Sequence, residues 1–232
     1  MKIVAVDEGH SIEDQGNKSP DGSFFEWEFT RDVGRRLAKL LVDHGVKVIN
    51  TSQQDTEVSL QERCDIANRA GADIFVSLHA NAFGQGWTLA HGWEIFHAPE
   101  SVEGNALAKS IAKYSTPLGL TMRGVKTANF YVLKNTIMPA VLIEHFFFTN
   151  QEELSKCNTH EFRQKFAIAD AKGILEYLGL PLVGDTPVVD TVFESMINIL
   201  RIKLRLEEDT VNYLRGYKYG KELVKRIVEN LK

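Results

Sequence analysis

Seven acidic or imidazole side chains stand out because each follows an apolar run or opens a helical one. IVAV ends in Asp7, Glu8, Gly9 and His10. IFVSL runs into His79, and AVLI into Glu144 and His145. Glu26 opens a helical pattern. Two imidazoles with carboxylates at one sheet edge form a natural set for a divalent metal. Zinc favours imidazole nitrogen and carboxylate oxygen in a tetrahedron, and a catalytic site leaves one position for water. Each residue also fits a structural role. A histidine at a strand end can simply be hydrogen-bonded, Glu26 can be a first-turn acid favoured by the helix dipole, and Asp7 and Glu8 can be turn residues. Glu144 fits such a role least well, because a carboxylate closing a four-residue apolar run is desolvated and costly without a partner.

Convergence requires elements that bring these positions together. Short apolar runs alternate with helical patterns. After IVAV, Phe29, Val33, Leu37, Leu40 and Leu41 recur at helical spacing, and Gly45 supplies a stop. VKVIN, DIFVSLHAN, GWEIFHA, NFYVLK and AVLIEHFFF read as strands. SLQERCDIANRAG reads as a helix, SVEGNALAKSIAKYS as one starting at an N-cap serine, and 150–179 as helical. Strands alternating with helices predict an α/β fold, a mainly parallel twisted sheet flanked by helices. In such sheets ligands collect beyond the carboxyl ends of the strands, which is where these side chains stand.

Past residue 180 the pattern changes. Residues 181–187 read as a linker with two prolines and a glycine. Residues 188–232 read as a small all-helical module, with Phe193, Met196, Ile197, Leu200 and Leu204 on one face. The expected division is a catalytic domain over 1–180, the linker, and this module.

The ordered blocks DEGH, EWEFTRDVGRRL, LQERCDIAN, SLHAN, GWEIF and VLIEHFFFTN resemble the zinc-dependent N-acetylmuramoyl-L-alanine amidases, the family often called amidase 3. Members cut peptidoglycan between the lactyl group of N-acetylmuramic acid and the first alanine of the stem peptide. The resemblance implies His10, Glu26 and His79 as zinc ligands and Glu144 as the catalytic glutamate. Glu8 stands where proline is common and His145 where threonine is common. Asn81 is left with two roles, substrate contact or loop support. Asp7 or Glu94 is expected to orient a ligand imidazole. A zinc peptidase or deacylase acting on another amide, and a non-catalytic wall-binding protein, are the competing functions.

Composition narrows the partners. A net charge of −4 argues against nucleic acid. No apolar run approaches the ~20 residues of a membrane span. The N-terminus lacks the basic and apolar regions of a signal peptide. Cys64 and Cys157 read as reduced and structural. The expected partner is bacterial peptidoglycan. In the helical module, Tyr213, Arg215, Tyr217, Lys218, Tyr219 and Lys221 interleave rings and cations, which suits a secondary cell-wall polymer. The alternative is that its apolar stripe packs on the catalytic domain or on a second copy as a homo-oligomer. The expected setting is a phage endolysin held in the host cytoplasm before lysis and acting on the wall afterwards, with a sporulation or autolytic amidase as the alternative.

Overall fold

The computed structural model describes residues 1–52 and 55–182, and beyond them 196, 197, 199, 200, 203, 204, 206, 210, 214 and 220–230. The chain divides into two compact units, Met1–Val183 and Gly184–Lys232.

The first unit is a six-stranded sheet with helices on both faces. Its elements are β1 (Ile3–Glu8), α1 (Glu26–Asp43), β2 (Lys47–Asn50), α2 (Leu60–Arg69), β3 (Ile74–Asn81), β4 (Trp93–His97), α3 (Val102–Ser115), β5 (Met122–Thr127), α4 (Tyr131–Asn135), β6 (Ala140–Phe147), α5 (Gln151–Cys157) and α6 (His160–Tyr177). The strand order is β2-β1-β3-β6-β4-β5. All neighbours are parallel except β4 and β6, which run antiparallel. The mainly parallel sheet expected from the alternating pattern is therefore present.

Strand side chains alternate between faces, and this parity places the site. Val4, Val6, Ile74, Val76, Leu78, Val141 and Ile143 join the larger core with α1, α3 and α6. Ala5, Phe75, Ala140 and Leu142 join a smaller core with Cys64, Ala67, Val132 and Leu133 of α2 and α4. Continuing along the strands at the parity of the second set gives Asp7, Ser77, His79 and Glu144. The thinly covered face thus ends in a polar row. Both cysteines are free and buried.

Two strand assignments differ from expectation. NFYVLK is not a strand: Tyr131–Asn135 form a short helix, with Phe130 at its N-cap. A short apolar run carries no period that separates helix from strand. The strand that the sequence concealed is β5, MRGVKT, paired only with β4 at the sheet edge. None of its residues is fully buried, so it lacks the apolar run of an inner strand.

Helices α3 and α6 meet where Gly173 admits the partner backbone. A Cβ there would lie 2.3 Å from Ile111 Cα. Ser110 Oγ donates to the Gly173 carbonyl at 2.8 Å, fixing the contact. Gly173→Ala is expected to destabilise the fold by about 1–3 kcal/mol, as overpacking against backbone does. A thermal melt checks this, and an unchanged Tm would contradict it.

In the second unit, Ile197, Leu200, Leu214 and Val224 are buried together, with Ile227 and Val228 of helix α7 (Gly220–Asn230) against them. Leu204, expected on the same stripe, is 45% exposed. Leu214 and Val224, from further along the chain, fill that core instead. The linker positions 183–187, Phe193, and the ring-and-cation residues Tyr213, Arg215, Tyr217, Lys218 and Tyr219 lie outside the described residues.

Candidate metal centre and active site

Glu26 is fully buried in the first turn of α1 and points inward. Its role is therefore not that of a surface acid facing the helix dipole. Oε1 accepts from the Ala80 amide at 3.0 Å and lies 2.9 Å from His79 Nδ1. Oε2 accepts from the Asn17 amide at 2.8 Å and lies 3.3 Å from His10 Nε2. One donor atom from each of His10, Glu26 and His79 lies within 4.8 Å of the others.

The backbone is shaped around this group. His10 sits at φ +67°, a region that side chains other than glycine rarely adopt. A Cβ on Gly9 would lie 2.4 Å from His79 Cε1, so only glycine lets the chain pass there. Asp14 Oδ2, 3.1 Å from His10 Nδ1, fixes the second ring.

The group favours positive charge. Burial opposes protonation of His79, but the Glu26 carboxylate outweighs it and pushes the imidazole up to about 9. Burial likewise opposes ionisation of Glu26. The bond from His79 and the charges of both histidines nevertheless hold its carboxyl below the ordinary value. Two imidazoles and one carboxylate in mutual reach match the protein ligands of a catalytic zinc.

Glu144 is in register with His79 across β3 and β6. Its Oε2 is buried without a hydrogen-bond partner. Burial raises its carboxyl to about 8, opposed by the His79 imidazole and reinforced by the Glu26 and Glu94 charges. His10, His79 and Glu144 line one cleft of about 260 Å³, whose other walls include Asp7, Arg63, Ser77, Phe130, Tyr131 and Leu142. All four site residues expected from the sequence come together.

The neighbours differ from expectation. Asp7 and Glu8 belong to β1, not to a turn. Asp7 is hydrogen-bonded to neither imidazole. Its Oδ1 accepts from Thr51 Oγ1 and Arg63 Nη1, and its Oδ2 from Ser77 Oγ. Burial works against its charge, and the Arg63 guanidinium and the two hydroxyls still hold it below the usual carboxylate range. Glu94 binds Asn81 Nδ2, Arg123 and Lys126 rather than a histidine. The second bond of Asn81 is local, from the Ala82 amide, so its side chain supports the strand end. His145 faces away from the cleft, bonded to Asp170 Oδ2 at 2.9 Å and to the His79 carbonyl at 3.0 Å. Its ring bridges Asp170 and the backbone behind His79.

Glu8 also points to the far face, where a Cβ on Gly34 would meet its Cγ at 2.5 Å. Neither carboxylate oxygen is hydrogen-bonded. Burial raises its carboxyl to about 7, against the pull of Asn50, Arg35 and Arg31. In the unfolded chain this carboxyl ionises near its ordinary 4.5, and in the folded chain near 7. Between these values the folded state binds more protons, so this group makes stability fall as pH rises, and the loss is complete above about 7. The gain of Glu8→Gln over wild type is therefore expected to be larger at pH 8 than at pH 5, by up to roughly 3 kcal/mol. Denaturant melts at both pH values check this, and an equal difference at both would contradict it.

The fold and the donor set define a class: an open α/β sheet with a candidate single-metal site and a buried carboxylate at the carboxyl edge of its strands. Comparison with known proteins places it within that class. The family model for N-acetylmuramoyl-L-alanine amidase matches residues 4–176, and the chain belongs to this family. It is 34% identical over 179 residues to the N-acetylmuramoyl-L-alanine amidase LytC of Bacillus subtilis, a match covering 76% of this chain and 35% of LytC, so the chain spans about a third of that relative. It is 32% identical over 191 residues to the endolysin of Bacillus phage SPP1, covering 77% of this chain and 67% of the endolysin. The catalytic domain of the amidase CwlV from Bacillus (Paenibacillus) polymyxa var. colistinus superposes with a TM-score of 0.74 at 32% identity, covering 78% of this chain and 100% of that one.

Arg63 is the residue that sequence reasoning overlooked. It was visible only as the arginine of LQERCDIAN. The signal was its place on the buried side of α2, among Cys64 and Ala67.

Proposed function

We propose that this chain is a zinc-dependent N-acetylmuramoyl-L-alanine amidase, hydrolysing the amide between the lactyl group of N-acetylmuramic acid and the L-alanine of the stem peptide. The observation that carries the reading is Glu144, with its unpartnered Oε2, facing His10, Glu26 and His79 in a chain of this family.

His10, Glu26 and His79 would hold the zinc. Bound there, zinc supplies Lewis acidity toward the attacking water and the scissile carbonyl. Glu144 Oε2 takes the proton of that water. Burial has already made this carboxylate proton-seeking. Glu144 then passes the proton to the departing alanine nitrogen, which leaves poorly as an anion. Leu142, Phe130 and Tyr131 wall the cleft and limit water around the transfer. His145 and Asp14 keep the two imidazoles in place.

A digest of purified peptidoglycan tests the reading. New alanine amino termini without new reducing sugar ends support it, and new reducing ends overturn it.

For the setting, we infer an endolysin acting on the wall from the host cytoplasm after membrane permeabilisation, with the helical unit adding attachment to a wall polymer. The likeness to the SPP1 endolysin supports the first part, and the interleaved rings and cations of residues 213–221 support the second.

A further inference from the structure

We propose that Arg63 is a substrate-positioning residue whose Nη2 donates to the backbone carbonyl of the stem peptide's first alanine. The inference rests on the amidase reading for the identity of the ligand. It rests on the donor inventory of Arg63 for the site.

A guanidinium has five N–H donors. In Arg63, Nε donates to the Val58 carbonyl at 2.8 Å, and Nη1 donates to Asp7 Oδ1 and to the Glu8 carbonyl, each at 2.9 Å. Nη2 has no hydrogen bond among the described residues. The side chain is only 4% exposed, yet it lines the cleft that holds His79 and Glu144. Nη2 is not among the buried atoms left without a partner, so its two donors open to the cleft, where an arriving acceptor can take them. Asp7 holds the fork in one orientation and is itself held by Thr51 and Ser77, so the free end is preorganised.

The chemistry of the acceptor follows from the surroundings. Asp7 already balances the charge of Arg63, and Asp14 and Glu57 line the same cleft. That field disfavours a carboxylate and leaves a neutral carbonyl as the acceptor. Register supplies the position. Asp7 pairs with Ser77, two residues before His79, and His79 pairs with Glu144. Two strand residues span about 6–7 Å. The next carbonyl of an extended peptide and one hydrogen bond cover that interval. The scissile carbonyl at the metal site therefore puts the alanine carbonyl within reach of Nη2.

The test pairs a substrate change with a protein change. N-acetylmuramoyl-L-alanyl-D-isoglutamine is compared with its analogue carrying a thiocarbonyl at alanine, a weaker acceptor one residue away from the scissile bond. Wild type is expected to lose about tenfold or more in kcat/KM on the analogue. Arg63→Lys keeps a cation beside Asp7 but loses the fork. It is expected to raise KM for the parent compound with little change in kcat, and to show no more than about a twofold thiocarbonyl effect. Equal thiocarbonyl effects in the two proteins, or none in wild type, would overturn the proposal. A crystal structure of wild type soaked with L-alanyl-D-isoglutamine decides the matter if the variant does not fold. Nη2 within ~2.7–3.2 Å of the alanine carbonyl is expected. A cleft without the dipeptide, or a dipeptide that Nη2 does not touch, overturns the proposal. Failure of wild type to cleave the parent compound would instead remove the amidase reading, and the dipeptide complex would still judge Arg63.

Discussion

Glu144→Gln is expected to retain its metal and lose about 10²- to 10⁴-fold in turnover, the usual contribution of a positioned general acid–base group. Glutamine preserves the shape of the side chain and cannot take a proton. The native Oε2 is buried and makes no hydrogen bond, so the substitution breaks no existing one. The variant is also expected to melt no lower than wild type, because glutamine carries no buried charge and the native carboxyl is disfavoured in its ionised form. Activity on soluble muropeptides, metal content and Tm together separate a catalytic role from a structural one. Near wild-type turnover would remove Glu144 from the mechanism. Lost turnover with lost metal would move it into the ligand set.

His79→Ala is expected to take metal content from one ion per chain to almost none, and activity with it. In the proposed site three side chains supply the protein ligands, and the variant leaves two. The structure adds a second effect. Glu26 is fully buried, and His79 is its hydrogen-bond partner on Oε1 together with the Ala80 amide. Removing the imidazole leaves a buried carboxylate short of its main source of positive charge, so the folded state should weaken as well. Elemental analysis of the purified variant tests the first effect and a denaturant melt the second. Stoichiometric zinc in His79→Ala would count strongly against the ligand set.

Different parts of this architecture were legible to different degrees. Helix α1 was plain because its apolar residues repeat at helical spacing and all bury against the larger core. Strands β3 and β6 were plain because they are continuous apolar runs, the mark of inner strands. Edge strand β5 was hidden because two cations and a glycine break up its six residues and it has one partner strand. The four site residues could be named because family blocks carried them. Their neighbours could not, because a hydrogen bond between residues far apart in sequence leaves no local pattern. Asp7 and Arg63 are 56 residues apart and meet at 2.9 Å. Glu94 likewise found its cations on the strand that the sequence concealed. Parity could have gone further: once β1 is a strand, Asp7 and Glu8 must face opposite sides, and only one of them can face the cleft.

Water activated beside Glu144 is proposed to cleave one particular amide. Digestion of N-acetylmuramoyl-L-alanyl-D-isoglutamine in H₂¹⁸O, by zinc-loaded and by chelated protein, tests it most directly by mass spectrometry. One ¹⁸O is expected in the lactyl carboxylate of released N-acetylmuramic acid, none in the released dipeptide, and no reaction after chelation. Label in a carboxylate of the peptide, or undiminished cleavage by the chelated protein, would contradict it.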